Sequence, residues 1–499
     1  MVRLGGQGRP PLQKNAHIGY YLISDGIGEL KKELYGQNNK IAVGVGFHTR
    51  PKTANTQKYI RTQIFLSTIL SILIGIYTNN IYKNIIISSI MAILVYIPIS
   101  EICLQTINYI LSKKVKPKLI PKMNVKGEVP KELSTFVIIP TILNNKEKVT
   151  ELVRKLEVYY LANKSENIYF ALLGDCKESK NEAEPIDEEI ISTGIQEIKK
   201  LNSIYGEGKF YFLYRNRKWT SCEKAYIGWE RKRGLICEFN TFLLENKNNF
   251  RVNTIIPEEM PDIKYVITLD SDTNLVLETA FELIGASSHI LNAPVIDEQK
   301  NIVTDGYGII QPRIGTNLVA SRKSLFSQIY SELGGMDSYA NAISDVYQDN
   351  FNEGIFTGKG IYDLKVFHKV LCKEVPENTV LSHDLLEGSY LRTGLATDII
   401  LLDGAPTKYI SNMNRLSRWT RGDWQLCRWL KKESPLNKLS KFKILDNLRR
   451  SLVPIFAMLL ILFVVGVCLV CTRTDTRPAP TVINHIHNFN NNASNTRHI

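Results

Sequence analysis

Two aspartates one residue apart, Asp270 and Asp272, close the apolar run YVITLDSDTNL at residues 265–275. Carboxylates at that spacing project in a similar direction while the backbone stays extended. With substrate phosphate oxygens they could complete the oxygen shell of Mg²⁺ or Mn²⁺. A solvated acidic turn after a strand is the plainer alternative. Asp175 holds an equivalent place just past the apolar run IYFALL at 168–173. A further carboxylate, Asp384, opens a helical pattern expected to run to Leu395, with Leu385, Leu391 and Leu395 packed inward. A helix N-terminus favours an ionised carboxylate, which could then act as a general base. Capping of that helix is the alternative role for Asp384, and Glu387 competes as base or as a hydroxyl-binding group. In RLSRWTRGDWQLCRWL, residues 415–430, Arg415, Arg418 and Arg421 crowd around Trp419 and Trp424. Arginines suit bidentate phosphate contacts, and indole faces suit sugar rings and cations. A membrane-surface helix with snorkelling arginines is compatible with the same pattern.

Elements that would position these residues alternate between strand and helix signals. Ser134–Pro140 reads as a strand ended by proline, Lys146–Leu161 as a helix, and Ile168–Leu173, Phe210–Tyr214 and Tyr265–Leu269 as further strands. Such alternation predicts an α/β fold with a mixed, mostly parallel sheet covered on both faces. Ligands of open sheets of this kind bind outside the carboxyl ends of the strands, where Asp175, Asp270 and Asp272 stand. The chain carries no GxxxxGK[ST], no GxGxxG after a strand, no HExxH and no GxSxG. ATPase, dehydrogenase, zinc-protease and α/β-hydrolase chemistries therefore lack their usual support.

Three uncharged apolar runs flank this block, at residues 62–82, 84–100 and 451–472. A bilayer core needs about 20 apolar residues in a helix, so the first two predict a membrane hairpin and the last a third span. The second is expected to continue past Glu101 toward Leu111. Lys52, Lys58 and Arg61 precede the hairpin, Lys113 to Lys118 follow it, and Lys441, Lys443, Arg449 and Arg450 precede the third run. The hairpin connection has only Lys83, so the basic flanks predict that residues 113–450 lie on the cytosolic side. The 62 Lys and Arg exceed the 49 Asp and Glu, a net charge of +13, but the excess forms no single tract and accompanies no nucleic-acid recognition motif. Eight cysteines are scattered, which fits a reduced compartment. The expected organisation is a cytosolic segment at 1–60, a hairpin at 61–112, a catalytic unit at 113–450, a span at 451–472 and a disordered Asn-rich tail at 473–499. His485 and His487 are read as part of that solvated tail.

In order, Asp175, the Asp270/Asp272 pair, His383-Asp384 and the Arg-Trp segment resemble the D, DxD, ED and QxxRW motifs of processive inverting transferases of the GT-A type. This chain has His383 where that pattern has Glu, and Arg415 where it has Gln. The phrases HIGYYLISDG (17–26), GWERKRG (228–234), QPRIG (311–315), GIFTGKGIYD (354–363), LSHDLLEG (381–388), RWTRGDWQL (418–426) and LDNLRRSLVP (445–454) look like the transferase part of cyclic β-1,2-glucan synthases. The resemblance covers most of residues 12–465.

That resemblance implies a membrane-bound inverting enzyme in the inner membrane, multi-pass, using UDP-glucose and a growing glucan on the cytosolic face. It implies uridine at Asp175, donor ribose or phosphate at Asp270, and Mg²⁺ or Mn²⁺ on Asp272. Asp384 would take the acceptor proton, and Arg418, Trp419 and Arg421 would hold the diphosphate and acceptor. Thr357 and Gly358 would line the acceptor end, with Glu387 and Trp424 further acceptor contacts. Relatives continue into more membrane helices and a phosphorylase-like domain, so the resemblance also implies a truncated chain. A synthase of another linkage and a non-catalytic remnant are the competing readings.

Overall fold

The computed structural model describes residues 53–473 apart from 222, 332–343, 373 and 381. The expected terminal tail, with His485 and His487, and most of the expected 1–60 segment lie outside the described residues. The rest forms two compact units, one Val115–Asn437 and the other Thr53–Lys114 with the helix that begins at Lys438.

Val115–Asn437 is built on strands β1 (Thr135–Leu143), β2 (Ile168–Cys176), β3 (Phe210–Arg215), β4 (Lys218–Thr220), β5 (Ala225–Ile227), β6 (Phe250–Asn253) and β7 (Tyr265–Thr268). It continues with β8 (Asn274–Leu275), β9 (Val295–Asp297), β10 (Ile302–Asp305), β11 (Ile309–Thr316), β12 (Gly360–Asp363) and β13 (Thr393–Asp403). Nine of these form one sheet in the order β6-β3-β2-β1-β7-β12-β11-β13-β8, while β4/β5 and β9/β10 are separate hairpins. The ladders β1–β2, β2–β3, β1–β7 and β11–β13 are parallel and hold most of the paired residues. The mixed, mostly parallel α/β fold read from the sequence is the fold observed.

Every residue of β2 and β3 is buried, as expected for strands covered on both faces. One cover is the helix Lys146–Ala162, which buries Val149, Leu152, Val153, Leu156, Tyr159 and Tyr160. Asn145 caps it by accepting the Lys148 backbone N–H. Two expectations change. Pro140 does not end β1, which runs on to Leu143. Pairing with β7 stops at Ile138, so from there the strand has a ladder only on its β2 side, and the missing proline N–H is tolerated. The helix beginning at Asp384 stops at Leu391, because Arg392 takes φ +53° and Thr393 starts β13. Leu395 is buried as predicted, but on a strand.

In the other unit the helices Thr53–Tyr82 and Ile85–Lys114 are joined by two residues, with Lys83 at φ +51°. A third helix spans Lys438–Arg473. All three are long and apolar enough to cross a membrane. The third is continuous from Lys438, which shifts the expected boundary at 450 back to Asn437/Lys438. Large side chains such as Phe65, Leu73, Ile93, Ile461 and Leu462 face outward, while the Ser67 and Ser71 hydroxyls donate to carbonyls of their own helix at 2.8 Å. Glu101, the charge inside the second apolar stretch, pairs with Arg449 of the third helix at 2.6 Å. Arg449 also bonds Asp446 at 2.6 Å, so the charges of this interior are mutually compensated.

Candidate active site

The acidic pair sits in a tight turn beyond β7, closed by a bond from the Thr273 N–H to the Asp270 carbonyl at 3.0 Å. Sheet order decides what surrounds it. Because β12 runs antiparallel to β7, with Gly360 opposite Thr268, Lys359 arrives at the carboxyl edge beside Asp270. Because β13 is parallel to β11, its last residue, Asp403, reaches the same edge. The Thr273 hydroxyl donates to Asp403 Oδ1 at 2.6 Å, and the Gly404 N–H donates to the Asp272 carbonyl at 3.1 Å. Lys359 contacts Asp403 and stands 3.4 Å from Asp270 Oδ2. Lys232, in the first turn of the helix Arg231–Glu245, donates to Asp270 Oδ1 at 2.5 Å and to the Gly358 carbonyl at 2.9 Å.

These contacts set the charge states. Burial alone would raise the Asp270 carboxyl, but Lys232 and Lys359 overcome it and hold the group down at about 2. Asp272 has the opposite balance. Burial, then repulsion from Asp270 and Asp403, pushes it up, only partly offset by Lys359 and Arg415. Its side chain is nevertheless open to solvent, so like-charge crowding is the cause that matters for what it can bind. A carboxylate in that position gains from a hard cation. Lys155 adjoins the turn, donating to the Ser271 carbonyl at 2.8 Å, and burial lowers its amine to about 8.

Asp384 is the first residue of the helix Asp384–Leu391, and the residue before it, His383, stands at the N-cap without a side-chain capping bond. Its carboxyl is pushed up by burial and by Glu387 and Asp270, against the pull of His383 and Lys232. His383 Nδ1 lies 3.7 Å from Asp384 Oδ1 and 2.8 Å from Glu387 Oε1, an ion pair whose angles fall short of a hydrogen bond. His383, Asp384 and Glu387 are also, among the described residues, the group of potential ligands close enough together to hold a metal. Glu387 is buried, with its Oε1 turned toward His383. Gly358 explains the space before Asp384. A Cβ on it would stand 2.9 Å from Asp384 Oδ1, and its φ of +85° disfavours side chains. Beside it, the Thr357 hydroxyl is buried without a hydrogen-bond partner, while its N–H donates to Gln311 Oε1 at 3.1 Å. Lys232 thus links the acidic pair to the Gly358–Asp384 corner.

The Arg-Trp segment is the helix Tyr409–Gln425 followed by a 3₁₀ turn to Leu430. A Cβ on Gly422 would lie 2.4 Å from the Ser382 Cβ, so this helix is packed directly against the approach to Asp384. Arg415 stacks over Trp419 at 5.1 Å and is drawn electrostatically to Asp272, Asp403 and Asp270. Arg418, Trp419, Arg421 and Trp424 are exposed. Asp175 is placed differently from the other predicted residues. It is buried, and both carboxylate oxygens bond Arg215 at 2.8 Å. Arg215 also donates to the carbonyls of Trp229 at 2.7 Å and Arg231 at 2.6 Å. The Asp175–Arg215 pair therefore braces the entry to the helix that carries Lys232.

Sequence reasoning missed Lys232, Lys359 and Asp403. For Asp403 a signal existed, since DIILLD ends an apolar run in aspartate as YVITLD does.

The fold and this edge define an α/β protein whose candidate site occupies the position where open sheets bind ligands. No family model matches the chain. By sequence it is similar to part of the cyclic β-(1,2)-glucan synthase NdvB of Rhizobium meliloti (strain 1021), 39% identical over 373 residues, 73% of this chain. The chain spans 13% of that relative's length. Among solved structures, mannosyl-3-phosphoglycerate synthase from Rubrobacter xylanophilus aligns over 63% of this chain and 79% of its own at 13% identity, TM-score 0.28. The galactosyltransferase LgtC aligns over 63% and 95% at 10% identity, TM-score 0.25.

Proposed function

We propose that this chain is a membrane-bound inverting glycosyltransferase of the GT-A type, which polymerises glucose from UDP-glucose into β-1,2-glucan on the cytosolic face. The identity to a glucan synthase supports the product class, and the basic flanks of the apolar helices support the orientation. The carrying observation is the corner itself, where Lys232 bonds Asp270 on one side and the Gly358 carbonyl, next to Asp384, on the other.

Inverting transfer needs a base on one side of the anomeric carbon and stabilised leaving-group charge on the other. Asp384 takes the proton from the attacking acceptor hydroxyl, and burial with the neighbouring Glu387 and Asp270 raises its carboxyl above the usual carboxylate range, which strengthens it as a base. Lys232 and Lys359 place positive charge where the diphosphate departs, with Arg415, Arg418 and Arg421 as further anion contacts. A divalent cation, held by Asp272 with Asp403 or Asp270, would supply the remaining neutralisation of the diphosphate. Trp419 and Trp424 offer exposed rings to the acceptor glucan, and the Thr357 hydroxyl offers a polar contact at that end. Asp175 contributes by bracing the Lys232 helix.

Transfer from radiolabelled UDP-glucose in membranes containing this chain tests the reading, with and without EDTA and beside Asp272→Ala. Metal-dependent polymer absent from the variant is expected, with linkage analysis reading β-1,2 bonds. Another linkage would replace the product assignment. Folded protein that binds UDP without incorporation would identify a piece that needs the rest of a longer enzyme, and no UDP binding would overturn the proposal.

A further inference from the structure

Away from the acidic edge, two helices bring a pair of thiols together. Cys237 lies in the helix Arg231–Glu245 and Cys372 caps the end of the helix Leu364–Leu371. Their sulfurs are 2.9 Å apart, and both cysteines are free. Cys237 is buried, whereas Cys372 is partly open. They line a cleft of about 380 Å³ together with His368, Glu245, Glu238 and Trp229. One turn before Cys372, His368 holds Glu245 through Nε2 at 3.0 Å, while its Nδ1 is buried and makes no hydrogen bond. The row is thus carboxylate, imidazole, thiol and second thiol, opening on a cavity large enough for a small reagent.

We propose that Cys237 and Cys372 form a redox-active dithiol, which a hydroperoxide entering this cleft converts into an intramolecular disulfide. The geometry assigns the roles. Cys372, partly exposed and nearest the imidazole, is the attacking sulfur, and buried Cys237 is the resolving one. The electrostatics agree. The hydrogen bond with Cys237, and then the nearby His368, draw the Cys372 thiol down, while the same contact and burial push Cys237 up. In the first step the Cys372 thiolate attacks the O–O bond of the hydroperoxide, giving a sulfenic acid and releasing an alkoxide or hydroxide that takes up a proton. Cys237 then attacks the oxidised sulfur and its proton leaves with the displaced hydroxide as water. Two thiols and one hydroperoxide yield one disulfide, one alcohol or water, and one water, a two-electron oxidation of the protein. The bridge would tie the helix bearing Lys232 to the helix that follows Lys359 and β12, so it bears on the two cations of the acidic edge.

Peroxide titration of the full chain in detergent, followed by thiol alkylation, digestion without reductant and mass spectrometry, tests this. A single intramolecular cross-link between the Cys237 and Cys372 peptides is expected, absent from Cys237→Ser and from Cys372→Ser and reversed by dithiothreitol. A wild-type measurement stands beside the variants, since Cys372 should react with iodoacetamide at pH 7 about tenfold faster than half-buried Cys427. Recovery of both cysteines as separately alkylated thiols after excess peroxide would overturn the proposal. So would oxidation of Cys372 to the sulfinic acid without a bridge, or equal alkylation rates for Cys372 and Cys427.

Discussion

Replacing Gly358 by alanine adds one methyl group at the corner on which the proposed chemistry depends. The new Cβ would stand 2.9–3.0 Å from three atoms of the Asp384 carboxyl group, whereas ordinary contact begins at 3.4 Å. The carboxylate must therefore retreat by about half an ångström. A misplacement of about 1 Å at a reacting group can cost roughly 100-fold, so about a tenfold loss of turnover is expected. The residue must also hold φ at +85°, which costs an L-residue about 1–2 kcal/mol and should lower Tm by a few degrees. Donor binding should survive, because Lys232 reaches the residue 358 carbonyl, which alanine keeps. Initial rates with UDP-glucose, UDP affinity by calorimetry and scanning fluorimetry of the solubilised protein separate the three effects. A variant with wild-type turnover and a normal or slightly lowered Tm would refute the placement of Asp384 as base.

Asp384→Asn should reduce transfer by about 10²–10⁴-fold with UDP binding retained, read by single-turnover assay and calorimetry. The pH profile of kcat/KM should show an acid limb above the usual carboxylate range, because the base must be ionised and burial first, then Glu387 and Asp270, raise Asp384. His383 pulls that group down, so His383→Gln should move the limb to higher pH; a shift to lower pH contradicts the arrangement. Asp403→Asn removes one of the like charges crowding Asp272 and a partner of Lys359. It should weaken Mn²⁺ binding several-fold by electron paramagnetic resonance, and unchanged affinity would exclude Asp403 from the cation's surroundings.

The placement of Asp175 shows where local reading stops. That Asp175 stands near the carboxyl end of a buried strand was legible from the apolar IYFALL, but β2 runs on to Cys176 and holds Asp175 within its ladder with β1 rather than past its end. The partner of Asp175 was not legible, since Arg215 is brought alongside only by the parallel pairing of β2 with β3. The same holds for Leu395, whose inward direction follows from its apolar character on either a helix or a strand. The choice between them rests on the β11–β13 ladder.

By itself the sequence determined the three apolar helices, the α/β alternation, the acidic pair past β7 and the start of a helix at Asp384. Each of these depends on residues within about one helix or strand of one another, where charge and hydrophobic period are sufficient. Only the tertiary structure decided that Lys359 and Asp403 join Asp270 and Asp272, that Lys232 reaches the corner beside Asp384, and that Asp175 is consumed by Arg215. Those partners lie some 40 to 130 residues apart, as Asp175 with Arg215 and Thr273 with Asp403. Their meeting follows from the order in which distant strands pair, and no local period encodes that order.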